Sequence, residues 1–167
     1  MIIFRDDDAP VHGMTHFITV HEMLREAGVV HTVSIICRNL SRYTEFVNYV
    51  NSDPEYFDPQ FHCLDHIDHT QNHDIVRDQF EQGVKEFKDS FGFTPSVWYP
   101  TWNKTDNFCE VEAAALGMKT NAKKYSFGQF LRKSVAVKDS GGVLNFHHWA
   151  KEERDVLPDI IKLYKNG

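Results

Sequence analysis

Short apolar, β-branched runs alternate with amphipathic stretches of helical period along almost the whole chain, and this alternation constrains the fold more than any other feature. Met1 to Phe4 is an apolar run expected to end at Arg5 and Asp6–Asp8, as a buried strand does at a sheet end. Phe17, Val20, Met23, Leu24 and Ala27 recur at helical spacing from about Thr15, with Gly28 suited to a left-handed cap. Val29 to Cys37 reads as a buried strand. Ser41 is placed to cap a helix bearing Tyr43, Phe46, Val47 and Val50, and Phe57 to Leu64 as a third strand. A long helix is expected from His73 to Phe91, a strand at Ser96 to Tyr99, and a helix from Asp106 to Leu116 closed by Gly117. After a Ser140–Gly142 turn, the last strand runs to His147, and Pro158 suits the first turn of a closing helix. Lys119 to Ser140 has no clear period. The pattern predicts an α/β protein with mostly parallel strands, in units of about thirty residues, either an open doubly wound sheet or an incomplete barrel.

At 167 residues the chain is expected to form a single domain, residues 1–167, without linker or internal repeat. Its net charge of -6 and lack of a basic run argue against a nucleic-acid binder. No apolar stretch approaches a membrane span, and Asp6, Asp7 and Asp8 fall where a signal peptide would need apolar residues. Three cysteines without a CxxC pair point to reduced thiols, and the expected location is cytoplasmic. Nothing in the sequence argues for or against a homo-oligomer.

Histidine is the outlier. Of ten, six fall in two tight groups: His62, His66, His69 and His73, then His147 and His148. His62 and His66 are spaced so that two imidazoles can reach one ion, and two His plus an Asp with an open position form a catalytic rather than a structural zinc set. Asp65 lies inside the pair in place of the HExxH glutamate, which disfavours a zincin protease. His69 and His73 could replace either ligand or sit just outside the ligand set, but by position they are expected to begin the next helix as polar surface residues. Three successive aspartates at a strand end repel one another, and Arg5 or, more effectively, a divalent metal would offset them. His147 and His148 follow an apolar strand, so only one should enter a site at the sheet end, where imidazole is a natural general acid. Trp98, Tyr99, Trp102 and Trp149 are candidates for the wall of a sugar pocket.

In this order the motifs resemble those of the polysaccharide deacetylase family, the NodB-like or family 4 carbohydrate esterases. Asp7, Asp8, Ala9 and Pro10 resemble the family's first motif, TFDDG followed often by Pro. This implies that Asp7 is the base activating the hydrolytic water and Asp8 a metal ligand, although a one-residue shift would assign these roles to Asp6 and Asp7. His62, Cys63, Leu64, Asp65 and His66 resemble HSxxH and imply that both histidines bind the metal. Tyr99, Pro100, Thr101, Trp102 and Asn103 resemble RPPYG without its arginine and glycine. The role of backbone oxyanion donor would pass to Trp102, and Arg5 or Arg132 could stand in for the arginine. No counterpart of the family's motif with Asp and Trp is found between these and the last. Leu144, Asn145, Phe146 and His147 resemble LxxH and imply His147 as general acid, with His148 where the family often has Asp.

The resemblance spans Ile2 to Trp149 and implies a short, incomplete (β/α) barrel of the NodB type. It also implies a hydrolase dependent on a divalent metal, most simply zinc, that removes an N-acyl group from an amino sugar or glycoconjugate. Two rivals remain at this stage: hydrolysis of another non-peptide C–N bond, and a degenerate domain that binds a carbohydrate or metal without turnover. The altered third motif motivates the second.

Overall fold

The computed structural model describes residues 2–122, 125 and 142–166. Arg132, Ser140 and Gly141 lie outside the described residues, as does most of the stretch from Lys119 to Ser140. Six strands form one sheet, β1 (Ile3–Ala9), β2 (His31–Ile36), β3 (Phe57–Cys63), β4 (Val97–Trp98), β5 (Lys119–Thr120) and β6 (Val143–Phe146), in the order β5-β4-β3-β2-β1-β6. The pairs β1–β6, β3–β4 and β4–β5 are parallel. Among the described residues the helices are α1 (Met14–Glu26), α2 (Thr44–Ser52), α3 (His73–Phe91), α4 (Asn107–Ala115) and, after β6, α5 (Lys151–Asn166). The expected alternation of strand and helix is therefore present, with β5 added where the sequence pattern was silent.

The chain divides into two compact units, with β2 and β3 each passing from one to the other. The first comprises residues 1–33, 54–58 and 123–167. Its core joins Ile2 and Phe4 of the β1 segment, Val20 and Leu24 of α1, Leu144 and Phe146 of β6, and Leu157, Ile160 and Ile161 of α5. Fully burying a large apolar side chain such as Phe4 stabilises the fold by roughly 1.5–3 kcal/mol. Gly28 takes φ +67 after α1, the left-handed conformation that glycine adopts without penalty.

Two boundaries in this unit differ from the sequence expectation. Strand β1 does not stop at Arg5 but continues through all three aspartates to Ala9. It can do so because Arg5, Asp6 and Asp7 are buried with polar partners, described below. Helix α5 starts at Lys151, so Pro158 lies inside it rather than in its first turn. Proline there removes one helical N–H, yet the stripe of Leu157, Ile160 and Ile161 is buried and carries the helix past it.

The second unit comprises residues 34–53 and 59–122. Val76, Phe80, Gly83, Phe87 and Phe91 form the buried stripe of α3, and Phe80 packs edge-on against Trp98 and Phe61 at 4.8 and 5.7 Å between ring centroids. Ser41 does not cap α2. It lies in a 3-10 turn, Leu40–Arg42, and the helix begins three residues later at Thr44.

Candidate active site

In the first unit the period of a strand sorts the charged run of β1 onto two faces. Arg5 and Asp7 share one face, and Arg5 is in register with Asn145 of β6. The Arg5 guanidinium donates from Nη2 to Asp7 Oδ2 at 2.7 Å, and Asn145 Nδ2 donates to the same oxygen at 2.7 Å. One carboxylate oxygen of Asp7 is thus held by two donors, while buried Oδ1 makes no hydrogen bond among the described residues. Arg5 therefore meets the need for a cation beside the aspartates. Asn145, inside the segment that resembles LxxH, is a second partner that cross-strand register alone reveals.

Asp6 faces the other way and is fully buried. Its carboxylate accepts from the backbone N–H of His148 at 2.8 Å and lies 3.0 Å from His148 Nδ1 and 3.2 Å from His31 Nε2. Burial alone would raise its pKa, but the His148 and His31 hydrogen bonds and charges outweigh it and hold the carboxyl below its usual range. Asp6 and His148 are committed to each other.

Asp8, half-buried, has φ 69, in the left-handed region that aspartate tolerates better than most residues. His147 is half-buried, with Nε2 3.9 Å from Asp8 Oδ2 and Nδ1 3.0 Å from Glu153 Oε2. Burial lowers the pKa of His147, but the Glu153 hydrogen bond and charge, with the charges of Asp7 and Asp8, carry it above the ordinary value. The expectation that adjacent histidines diverge holds: His148 goes to buried Asp6 and His147 to Glu153.

In the second unit β3 delivers His62, buried, with its Nδ1 2.6 Å from the carbonyl oxygen of Tyr99. A carbonyl can only accept, so Nδ1 carries a proton, and in the neutral tautomer this selects, the lone pair is on Nε2. This outer hydrogen bond to a backbone carbonyl is the one metal-binding imidazoles commonly make. His66 is exposed after the strand, its ring 5.3 Å from that of His62 and 4.6 Å from that of Trp102. Between the two histidines, Asp65 pairs with the Arg38 guanidinium through two donors and accepts from Gln79 Nε2 at 2.9 Å. The Arg38 hydrogen bond, followed by that from Gln79, outweighs desolvation and lowers the Asp65 pKa. Asp65 thus anchors the turn that carries His66.

Other expectations need correction here. His69 is not a surface residue. It is buried against Phe80 and Trp98, and its pKa is lowered to about 4, chiefly by burial and then by the charges of His62 and His66. Trp98 and Tyr99 are core rather than pocket wall, whereas Trp102 and Trp149 are exposed. Trp102 sits in a 3-10 turn, Thr101–Asn103, with φ 51, followed by Asn103 at φ 55, so the segment matched to the third motif is bent without glycine. His73 does begin α3 at the surface, as expected.

A second set of potential ligands, His73, Asp106 and Cys109, has its donor atoms within 4.8 Å of one another. Asp106 is already engaged: its Oδ1 caps α4 through the Cys109 N–H at 3.0 Å, and its Oδ2 lies 2.7 Å from His73 Nε2. Burial, with Asp106 beside it, pushes the Cys109 thiol up to about 12. This set closes a helix end and serves a structural purpose.

Comparison with solved structures supplies the deciding observation. A family 4 carbohydrate esterase from Streptomyces lividans, solved with acetate, is similar over 99% of this chain and 88% of its own, with a TM-score of 0.79 and 14% identity. The fold is that of the family 4 carbohydrate esterases. A polysaccharide deacetylase from Bacillus cereus is similar at TM-score 0.78 and 13% identity over 99% of this chain and 87% of its own. A CE4 family pseudoenzyme from Bacillus anthracis is similar at TM-score 0.80 and 16% identity, and all of this chain spans 61% of its length. No protein-family model and no curated protein sequence matches the chain. The incomplete-barrel deacetylase fold expected from the motifs is therefore the fold the chain has. Among the described residues, no helix is long and apolar enough to cross a membrane.

Proposed function

We propose that the chain is a metal-dependent hydrolase that removes an N-acyl group, most simply acetyl, from an amino sugar or glycoconjugate. Two things support this reading: the fold shared with deacetylases, and the position of each motif at the carboxyl end of its own strand. Asp7 and Asp8 end β1, His62 falls near the end of β3, and His147 follows β6. The observation that carries the metal is the hydrogen bond from His62 Nδ1 to Tyr99 O, which leaves Nε2 as the ligating nitrogen.

The proposed ligands are Asp8, His62 and His66, each offering one ligand atom, and the mix of two imidazoles and a carboxylate suits zinc. When bound, a divalent ion would supply Lewis acidity to the acyl carbonyl and ease deprotonation of the attacking water. Asp7 is the general base, taking that proton at Oδ1 while Arg5 and Asn145 hold Oδ2. Arg5, from the same strand, takes the place of the arginine missing from the third motif. His147 protonates the departing nitrogen, and the Trp102 backbone N–H is the proposed oxyanion donor. The proposed setting is a reducing, cytoplasmic one, in which the buried Cys37, Cys63 and Cys109 stay as thiols.

The bent, arginine-free third motif favours one other reading, a domain that binds an N-acetyl sugar or a metal without turnover. One of the similar structures is itself a pseudoenzyme, and a mutant of that protein has restored enzymatic activity. A hydrolase of another non-peptide C–N bond would use the same residues on a different acyl donor. The test is elemental analysis of untagged protein with His62→Ala and His66→Ala variants, paired with acetate release from an N-acetylglucosamine oligosaccharide. Near-stoichiometric metal lost in both variants, with acetate released only by the metal-loaded wild type, is the expected result. Sugar binding without acetate release would favour the non-hydrolytic reading, and absence of metal after reconstitution would overturn the ligand set.

A further inference from the structure

We propose that Glu153 is a positioning residue that fixes the tautomer and direction of His147. The inference rests on the reading of His147 as proton donor. The chain leaves β6 at Phe146, and two donors of the next residue converge on one atom: the backbone N–H of His147 reaches Glu153 Oε2 at 2.7 Å, and Nδ1 lies 3.0 Å from the same oxygen. A carboxylate oxygen only accepts, so the ring proton sits on Nδ1 and Nε2 is the nitrogen turned toward Asp8, 3.9 Å from its Oδ2. Holding both the backbone and the ring with one oxygen removes the two rotations by which the imidazole could swing away. The adjacent Trp149 ring, 5.0 Å from that of His147, limits the remaining motion.

Glu153 lies in the first turn of α5, where the helix dipole favours a negative charge. It is six residues beyond the histidine it serves and on a different element, so no short motif marks it. In the proposed reaction the imidazolium gives its Nε2 proton to the nitrogen as the C–N bond breaks and the nitrogen takes the bonding pair. The ring is left neutral with its Nδ1 proton still directed at Glu153.

The test compares wild type with Glu153→Ala and Glu153→Gln by two readouts. The first is the neutral His147 tautomer, read from long-range nitrogen–proton NMR correlations. Wild type should hold the proton on Nδ1, Glu153→Ala should lose that preference, and Glu153→Gln, whose amide oxygen still accepts, should largely restore it. The second is acetate release from an N-acetyl sugar against that from an aryl acetate, whose leaving group needs no proton. Glu153→Ala should lose roughly 10- to 100-fold in kcat on the amide, at least tenfold more than on the ester, with metal content and KM unchanged. An unaltered tautomer in Glu153→Ala, or equal losses on both substrates, would overturn the inference. If wild type hydrolyses neither substrate, the hydrolase reading fails while the tautomer readout still decides the role of Glu153.

Discussion

The backbone N–H of His148 donates to the carboxylate of Asp6 at 2.8 Å, so a residue in the middle of β1 fastens the chain just beyond β6. Asp6 is completely buried and also lies within hydrogen-bond distance of the His148 and His31 rings. Removing the acid leaves those donors without their shared acceptor. Asp6→Ala is therefore expected to cost about 3–5 kcal/mol, and Asp6→Asn less, measured by urea unfolding. A loss below about 1 kcal/mol in Asp6→Ala would show that the buried cluster is not structural.

Asp7 has the same residue type on the opposite face, with a different expected outcome. Asp7→Asn keeps an oxygen for Arg5 and Asn145 but removes the base. The fold should persist while hydrolysis falls by at least about 100-fold, checked by acetate release alongside thermal melting. Undiminished turnover would assign the base elsewhere.

Gly83 lies on the buried stripe of α3. A Cβ there would stand 2.6 Å from Phe61 Cε2, 2.8 Å from Phe61 Cζ and 3.3 Å from Leu64 Cβ. Phe61 is fully buried and packed on Phe80, so its ring has little room to yield. Gly83→Ala should destabilise by about 1–3 kcal/mol despite the better helix propensity of alanine. Equal or greater stability in denaturant melts would show that the packing relaxes.

His69 makes stability depend on acid. Its folded pKa of about 4 lies below the ordinary 6.5, so the unfolded chain binds the proton more readily. The contribution is fully present above about pH 6.5 and is lost as pH falls toward 4, on the order of 3 kcal/mol in all. His69→Leu should flatten this part of the stability–pH curve by close to one proton, read from urea midpoints between pH 7 and pH 4. A curve as steep as that of wild type would place the titration on another group.

Much of the architecture was legible because strand and helix periods are local properties. The stripe of α1, the helices α3 and α4 and the glycines that close α1 and α4 could be read from local pattern alone, and so could the HxxxH pair at the end of β3. Extents were less legible where a long-range partner intervened. β1 continues through its aspartates because Arg5 and Asn145 hold one oxygen of Asp7 while His31 and His148 hold Asp6, and α5 passes Pro158 because its apolar stripe is buried.

The sequence by itself determined which chemical groups exist and where they fall along each element: an aspartate run ending one strand, two histidines four apart after another, a histidine pair after the last. Only the tertiary structure decided which partners each of them meets. It committed Asp6 to His148, set Arg5 and Asn145 on Asp7, turned His69 inward and brought Glu153 to His147. The physical reason is that a residue's role depends on its partner, and partners distant in the chain are chosen by strand register and helix docking, which no local spacing encodes.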